Sequence, residues 1–406
     1  EHLHRLCFES LHRCSWLGPS WQELSLKQSN RLHSSDKPKW WARKIGDLIS
    51  LGKDHSPLYV YNQGTARKAA KSLLAVKGIS RVNYALKANY HSDLLRVFYE
   101  EGLSFDCVSW DEVLYLKKLF PEISLDRIVF TPNFAPIGEY EQAMQHGCLV
   151  TLDNLHPLVH HPQVFKKKSI MIRIDPGAGK GHHRFVKTAG TASKFGIAIA
   201  DLPLMTKLVK QHEIRVVGLH AHVGSGILDV DTWQKLASFL VHVAKDFPDV
   251  HILDIGGGFG VPEKRHQSPL NLKNLAEVFK NFWDTLSPYE IWIEPGRYLV
   301  AEAGVLLTKV TQTKKKNHKN FVGVDTGMNS FIRHSLYGSF HELTNITQQE
   351  SCDYIHTDIV GPICESGDVF GYNRLLPAST KEGDIILVDN AGAYGRTMAS
   401  SYNLRM

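Results

Sequence analysis

Short β-forming apolar runs alternate with helix-like segments between residues 82 and 294, and this alternation restricts the fold more than any other feature. Segments with helical periodicity, such as residues 92–101 and 231–247, lie between the runs. Ser92 and Asp111 are of the types that cap helix N-termini, and Gly102 and Gly147 stand where helices often end. Eight strands that alternate with helices predict an α/β fold, a (β/α)8 TIM-like barrel. The predicted strands are residues 82–86, 105–109, 127–131, 149–152, 169–175, 216–222, 251–255 and 291–294.

After residue 300 the pattern changes to β-type runs divided by turn residues, at residues 305–311, 321–325, 354–360 and 384–388. We therefore expect the barrel at residues 56–300 and an all-β domain at residues 301–406, with residues 56–62 as a candidate strand lent to that domain. Two domains also suit a chain of 406 residues. Residues 1–40 have no clear period, so residues 1–55 are expected to be a helical or partly disordered extension.

Chemically distinctive residues stand at the C-terminal ends of three predicted strands. Barrel enzymes place their chemistry at these ends, often with a phosphate held by the loops after the last two strands. A lysine, a glycine run and a carboxylate in these places predict a site for pyridoxal 5'-phosphate. The residues are Lys87 after the first strand, Gly256, Gly257 and Gly258 after the seventh, and Glu294, Pro295, Gly296 and Arg297 at the eighth.

Each part of this predicted site has a chemical reason and a simpler alternative. A lysine beside an apolar strand can be desolvated to the free amine that imine formation requires, although Lys87 alone also fits a side chain that extends into water. Glycines let backbone N–H groups approach a phosphate, as they also permit tight turns, and Ser225 offers a further hydroxyl donor. Glu294 would keep a pyridine nitrogen protonated, whereas a salt bridge with Arg297 is the simpler interpretation.

His220 and His222 lie two residues apart on a predicted strand, so both are expected on the same side of it. A two-histidine metal site is the alternative, but no carboxylate or cysteine accompanies them at ligand spacing. We therefore predict no metal and expect the His222 ring to pack flat against the cofactor.

The β domain supplies further candidates. Cys364 has polar and glycine neighbours, which argues against the inert buried state of most free cysteines, and a thiol can deliver a proton near neutral pH. Arg333 and Tyr337 are four residues apart, a spacing that presents a guanidinium and a hydroxyl together. Tyr394 offers a phenol for stacking or hydrogen bonding.

Composition excludes several classes of partner. The net charge of +6 is modest, and the lysines at residues 166–168 and 314–316 lie between apolar segments, so solvated turns are expected and no nucleic acid. No apolar run approaches the ~20 residues that span a bilayer, so no membrane is expected. None of the six cysteines forms a Cys-x-x-Cys pair, which favours a reducing, cytoplasmic setting.

Taken in order, these motifs resemble the fold-type III pyridoxal-phosphate decarboxylases, which share the alanine racemase architecture, and among them the diaminopimelate decarboxylases. The resemblance covers residues 56–403; one departure is His334, where relatives usually have proline. Some relatives are fused to an aspartate kinase, and the first residue Glu1 would suit a piece of such a protein. The similar stretches are residues 84–89, 105–109, 193–196, 222–225, 255–260, 294–297, 327–329, 333–338, 361–368 and 391–395.

The resemblance implies a role for each candidate and a homodimer with shared active sites. Lys87 would hold the cofactor, and His222 would stack on its ring. Gly258 and residues 294–297 would bind its phosphate and ring, and Tyr394 would contact it. Cys364 would donate the proton, and Arg297, Arg333, Tyr337 and Glu365 would bind the substrate. Cys364 and Glu365 would reach across from one subunit to the other.

The resemblance further implies a substrate with charges at both ends. Arg333 offers a cation for a distal carboxylate and Glu365 an anion for a distal ammonium, whereas ornithine decarboxylases carry Cys-Asp in place of Cys364-Glu365. We therefore expect decarboxylation of meso-2,6-diaminopimelate to L-lysine, the last step of lysine biosynthesis. The alternatives are a decarboxylase of D-lysine, D-ornithine or arginine, an amino-acid racemase, or a non-catalytic regulatory homologue.

Overall fold

A computed structural model describes residues 38–177, 193–264 and 266–405. Most of the N-terminal segment without a clear period therefore lies outside the described residues. The strands, in chain order, are β1 (Leu58–Tyr61), β2 (Arg81–Ala85), β3 (Ser104–Cys107), β4 (Ile128–Phe130), β5 (Leu149–Leu152), β6 (Ser169–Asp175), β7 (Ile197–Ala198), β8 (Arg215–His220), β9 (Ile252–Asp254), β10 (Glu290–Ile293), β11 (Gly304–Lys316), β12 (Lys319–Val324), β13 (Leu343–Asn345), β14 (Tyr354–Val360), β15 (Val369–Pro377) and β16 (Ile385–Val388).

Helices fill most of the connections between barrel strands. The cap predictions are partly wrong: the helix after β3 is capped by Ser109, not Asp111, and His91 rather than Ser92 caps the helix after β2. Gly147 ends its helix in the left-handed region, as predicted, at φ 82°. The α-helices are Ile45–His55, Gln63–Leu74, Ser92–Glu100, Trp110–Leu119, Ile137–His146, His156–His160, Pro162–Phe165, Leu202–Gln211, Asp231–Ala244, Leu272–Asn281, Trp283–Leu286, Arg297–Val300 and Arg333–Tyr337.

Eight parallel strands close into a barrel, which confirms the predicted fold class. The pairing runs from β2 through β3, β4, β5, β6, β8 and β9 to β10, and β10 pairs with β2 to close the ring. Apolar residues of four strands, Val129, Met171, Ile252 and Trp292, pack into a cluster of their own, as expected for a filled barrel interior. The C-terminal ends of all eight strands therefore meet at one rim.

The second sheet follows the barrel and is mostly antiparallel. Its order is β13, β16, β11, β12, β14 and β15, and β1 pairs with the first part of β11. Strands β13 and β15 were not predicted. The helix Ile45–His55 lies on this sheet, where Leu48 packs with Val305, Leu307 and Ile385.

No helix among the residues described above is long and apolar enough to cross a lipid bilayer.

Candidate active site

Lys87 lies just past β2, in the short 3-10 turn Leu86–Ala88 at the barrel rim. Its Nζ donates a hydrogen bond to Oδ2 of the buried Asp106, on the neighbouring strand β3, at 2.8 Å. Burial lowers the pKa of Lys87, but the negative charges of Asp106 and Glu294 outweigh burial and raise the pKa above its usual range. Lys87 is therefore an ammonium here, not the free amine that its apolar position alone suggested.

The glycine run that follows β9 approaches two other parts of the rim. Gly256 and Gly258 have φ angles of 67° and 89°, which favour glycine. A Cβ on Gly257 would lie 2.2 Å from the carbonyl oxygen of Glu294, and one on Gly258 would lie 2.6 Å from that of Gly224. The close approach of backbones, and not only a turn, requires glycine at these positions.

His222 is displaced from the strand on which it was predicted. Strand β8 ends at His220, so His222 lies in the loop just beyond it and not on the strand itself. The N–H of Gly257 donates to Nδ1 of His222 at 3.0 Å, which fixes the ring beside the glycine run. Burial, followed by the charges of Arg173 and Lys87, lowers the pKa of His222 to about 3, so the ring is neutral.

Glu294 follows β10 and pairs with His220, not with Arg297. Its Oε2 lies 3.0 Å from Nε2 of His220, whereas its Oε1 is buried without a hydrogen-bond partner among the described residues. Burial raises the pKa of Glu294, but His220 and Lys87 outweigh burial and lower it to about 2. Glu294 is therefore a carboxylate with one oxygen still available to a ligand.

His220, Glu294 and Asp254 bring three ligand-type atoms within 4.8 Å of one another. Carboxylates thus accompany a histidine in space, although none does so in the local sequence. Asp254 already accepts the N–H of Gly256 at 2.8 Å. Burial and the charge of Glu294 raise the pKa of Asp254 well above its usual value. This shift disfavours the ionised form that metal ligation requires, and the group is held together by the hydrogen bonds from His220 to Glu294 and from Gly256 to Asp254.

Arg297, Ser225 and Tyr394 form the adjoining part of the rim. Arg297 donates from Nη2 to Oγ of Ser225 at 3.3 Å, and its Cζ lies 5.1 Å from the centre of the Tyr394 ring. Pro295 accepts the N–H of Ala85 at 3.2 Å. A Cβ on Gly296 would lie 3.0 Å from the hydroxyl of Tyr394. Lys87, the glycine run, Glu294 and Tyr394 are thus brought together at one site.

Arg333 is a buried cation beside this rim. Its side chain is 1% exposed, and it donates to Nε2 of His341 and Oγ of Ser339, both at 3.1 Å. Burial and the nearby charge of Arg297 lower the pKa of Arg333 to about 9, so it stays charged at neutral pH. Tyr337 is half-buried at the other end of the same short helix. Nη2 of Arg333 also lies 3.7 Å from Oε1 of Glu263, which balances one of the two neighbouring guanidinium charges. The remaining positive charge favours an anionic ligand.

Cys364 and Glu365 are exposed on a loop before β15. The N–H of Cys364 donates to Oδ1 of Asn403, and Glu365 accepts from the hydroxyl of Tyr402, each at 2.8 Å. Within the described ranges, no hydrogen bond or ion pair joins either residue to Lys87. The single chain therefore does not assemble these two predicted residues with the others.

Two residues of the site, Asp106 and Arg173, were missed from the sequence, and His220 was considered only as a possible metal ligand. Each is a buried polar residue within a barrel strand, and Arg173 has its Cζ 4.5 Å from the centre of the Phe195 ring. Charged residues are seldom buried without a partner, so a charge inside a predicted strand was the available signal.

Comparisons with known proteins agree with this geometry. The pyridoxal binding domain of the pyridoxal-dependent decarboxylases matches residues 64–301. The diaminopimelate decarboxylase of Methanothermobacter thermautotrophicus is 34% identical over 376 residues, 88% of this chain and 87% of that protein. The diaminopimelate decarboxylase of Escherichia coli strain K12 is 31% identical over 367 residues, 86% of each protein.

A solved structure has the same architecture. The diaminopimelate decarboxylase of Helicobacter pylori, crystallised with L-lysine, superposes with a TM-score of 0.78 at 32% sequence identity. The match covers 86% of this chain and 89% of that one, so it includes both the barrel and the second sheet.

Proposed function

We infer from its membership of the diaminopimelate decarboxylases, within the pyridoxal-dependent decarboxylase family, that this chain decarboxylates meso-2,6-diaminopimelate to L-lysine and CO2. It is a carboxy-lyase of lysine biosynthesis, and pyridoxal 5'-phosphate is its cofactor. The observation that supports this most strongly is the juxtaposition of Lys87, the glycine run and Glu294 at one rim of the barrel.

The residues present fit pyridoxal phosphate. Glu294 keeps one buried oxygen, Oε1, without a partner, as a pyridine nitrogen would need. The glycine run leaves no room for a Cβ and can bring backbone N–H groups to a phosphate. When bound, the cofactor supplies an aldehyde that accepts an amine and a pyridinium ring that withdraws electrons.

We assign proton handling at Lys87 to Asp106. The lysine must lose a proton before its amine is nucleophilic, and Oδ2 of Asp106 lies 2.8 Å away. Burial and the charge of Glu294 raise the pKa of Asp106, which makes it a better proton acceptor than an exposed aspartate. Glu294, held by His220, stays ionised and favours a protonated pyridine nitrogen.

The substrate would be oriented by charge at its distal end. Arg333 is fixed by His341 and Ser339 and lies near Arg297, so it suits the distal carboxylate of diaminopimelate. Lysine and ornithine lack that group and would leave Arg333 with only its ion pair to Glu263, at 3.7 Å. Glu365 would take the distal ammonium, and Cys364 would return a proton to the carbon that lost CO2.

A homodimer would complete the site, because Cys364 and Glu365 are exposed and separate from Lys87 within one chain. Mixing Lys87→Ala protein with Cys364→Ala protein tests this. If the sites are shared, subunit exchange should restore activity that neither variant has alone. No restoration in a verified mixed dimer would contradict the shared site. We also propose a reducing, cytoplasmic setting, in keeping with the four free cysteines among the described residues.

CO2 release from meso-diaminopimelate, with and without added pyridoxal phosphate, tests the function itself. We expect faster turnover of this substrate than of D-lysine, D-ornithine or arginine. Lys87→Ala should abolish both turnover and the imine absorbance, whereas Lys77→Ala, at an exposed lysine, should change neither. Racemised product without CO2 would identify a racemase instead. Protein that stays colourless with added cofactor would indicate a regulatory homologue.

A further inference from the structure

The loop that carries Cys364 and Glu365 is attached to the short turn Tyr402–Leu404. The side-chain oxygen of Asn403 accepts the backbone N–H of Cys364, and the hydroxyl of Tyr402 donates to Oε1 of Glu365. Both bonds measure 2.8 Å, and all four residues are exposed in the single chain. Burial therefore does not hold Cys364 and Glu365 in place. Backbone hydrogen bonds of Glu365 with Ile363 and Asp368 shape the loop, and the bonds to Asn403 and Tyr402 attach it to the turn.

Both partners are themselves anchored. On the loop, the buried carboxylate of Asp368 accepts the N–H of Ile363 at 2.7 Å and that of Met328 at 2.6 Å. Beside the turn, the buried Asn329 accepts the N–H of Ser400 at 2.7 Å and donates from its amide to the carbonyl of Arg405 at 3.2 Å. The turn is thus fixed on both sides of Asn403, so it can act as a rigid support.

The residue type at 403 suits this support. Asn403 has a φ of 56°, in the left-handed region that asparagine adopts more readily than most residues. Residue 403 therefore needs a side chain that accepts a hydrogen bond and a residue type that adopts the left-handed backbone conformation, and asparagine meets both requirements.

We propose that Tyr402 and Asn403 are positioning residues for decarboxylation, with separate tasks. Asn403 holds the backbone of Cys364 so that its thiol reaches the carbon to be protonated. Tyr402 occupies one oxygen of Glu365 and so directs the other oxygen to the distal ammonium of the substrate. This inference rests on the proposed function, which assigns those roles to Cys364 and Glu365.

The two tasks predict effects on different kinetic constants. Tyr402→Phe removes only the hydroxyl, and loss of one exposed hydrogen bond should raise KM for meso-diaminopimelate by about fivefold while kcat stays within about twofold. Asn403→Ala should lower kcat by about fivefold while KM stays within about twofold. Cofactor absorbance and oligomeric state should match wild type in both variants.

Matched variants separate the hydrogen bond from the backbone conformation at residue 403. Asn403→Gly keeps the left-handed backbone but has no acceptor, so its kcat should fall as in Asn403→Ala. Asn403→Asp keeps an acceptor oxygen and should recover most of kcat. The inference is overturned if Gly restores kcat and Asp does not, or if Tyr402→Phe and Asn403→Ala both have wild-type kcat and KM.

A second measurement does not depend on the substrate. In a Cys352→Ser background, alkylation of Cys364 by iodoacetamide, measured on the Cys364 peptide by mass spectrometry, should be faster in Asn403→Ala and Asn403→Gly than in wild type or Asn403→Asp. Equal rates in all four proteins would contradict the role of Asn403. If wild type releases no CO2 from meso-diaminopimelate, the proposed function fails, while the alkylation rates still report whether Asn403 holds the loop.

Discussion

Substitution of Gly257 by alanine should damage the cofactor site through backbone contact alone. A Cβ at residue 257 would lie 2.2 Å from the carbonyl oxygen of Glu294 and 3.1 Å from its carbonyl carbon. Ordinary contact would require the two backbones to separate by about 1 Å. Two hydrogen bonds resist that movement: Glu294 N–H to Gly256 O at 2.9 Å, and Gly257 N–H to His222 Nδ1 at 3.0 Å.

The expected magnitude follows from the cost of overpacking. Inserting one methyl group into a packed contact costs about 1–3 kcal/mol of unfolding free energy. For a barrel of this size, each kcal/mol lowers Tm by about 2–4 °C. The same backbone carries Glu294, so cofactor affinity should also fall, by about tenfold for each 1.4 kcal/mol that the bound state loses.

Thermal unfolding without cofactor and absorbance titration with pyridoxal phosphate measure the two effects. Gly138→Ala is the matched control, because a Cβ there meets nothing within 4 Å. In the helix Ile137–His146, that change should leave cofactor affinity unaltered and Tm equal or slightly higher. Gly257→Ala protein with wild-type Tm and cofactor affinity would refute the reasoning.

Three further predictions concern ionisable side chains of the site. Glu294→Gln keeps the shape of the side chain but removes its charge, so kcat should fall by about 10²–10³-fold while the cofactor is retained. A smaller fall in the steady-state rate would argue against an ionised partner for the ring. Because the folded pKa of His222 lies near 3 and its ordinary value is 6.5, only the unfolded chain gains this proton as pH falls from 6.5. Stability should therefore decrease by up to about 1.4 kcal/mol per pH unit through this residue, and His222→Gln should flatten the slope in urea titrations at pH 6.5 and 5.5. Arg333→Lys cannot keep the bonds to both His341 and Ser339, so KM for meso-diaminopimelate should rise at least about tenfold; an unchanged KM would exclude Arg333 from substrate binding.

The barrel could be predicted from the sequence because its strands are short, apolar and regularly separated by helices. All eight predicted strands are present, with bounds within two residues of those observed. The second sheet was harder to predict. Strand β13 has only three residues, and β15 contains the polar stretch Tyr372, Asn373 and Arg374, whose side chains are exposed or half-buried. Such segments form strands because of their neighbours, which a local pattern does not reveal.

The candidate site, like the fold, could be predicted only in part. Residues that follow strands, such as Lys87 and Glu294, could be predicted because barrel topology brings strand ends together. The partners that set their charge, Asp106 and His220, could not be paired with them, because the pairs join different strands. The contact of Asn403 with Cys364 likewise joins residues that no local periodicity relates.

The pairing of β1 with β11 means that the second sheet is not a separable module. A fragment consisting of residues 301–406 would expose an unpaired edge on β11 and bare the apolar side chains of Val305, Leu307 and Leu387 that the helix Ile45–His55 covers. Such a fragment should aggregate when expressed alone, whereas addition of residues 38–62 on a linker should improve its solubility. Closure of this sheet also joins residues 58–61 with residues 304–307, a pairing across most of the barrel sequence, so we expect it to be a slow step in folding.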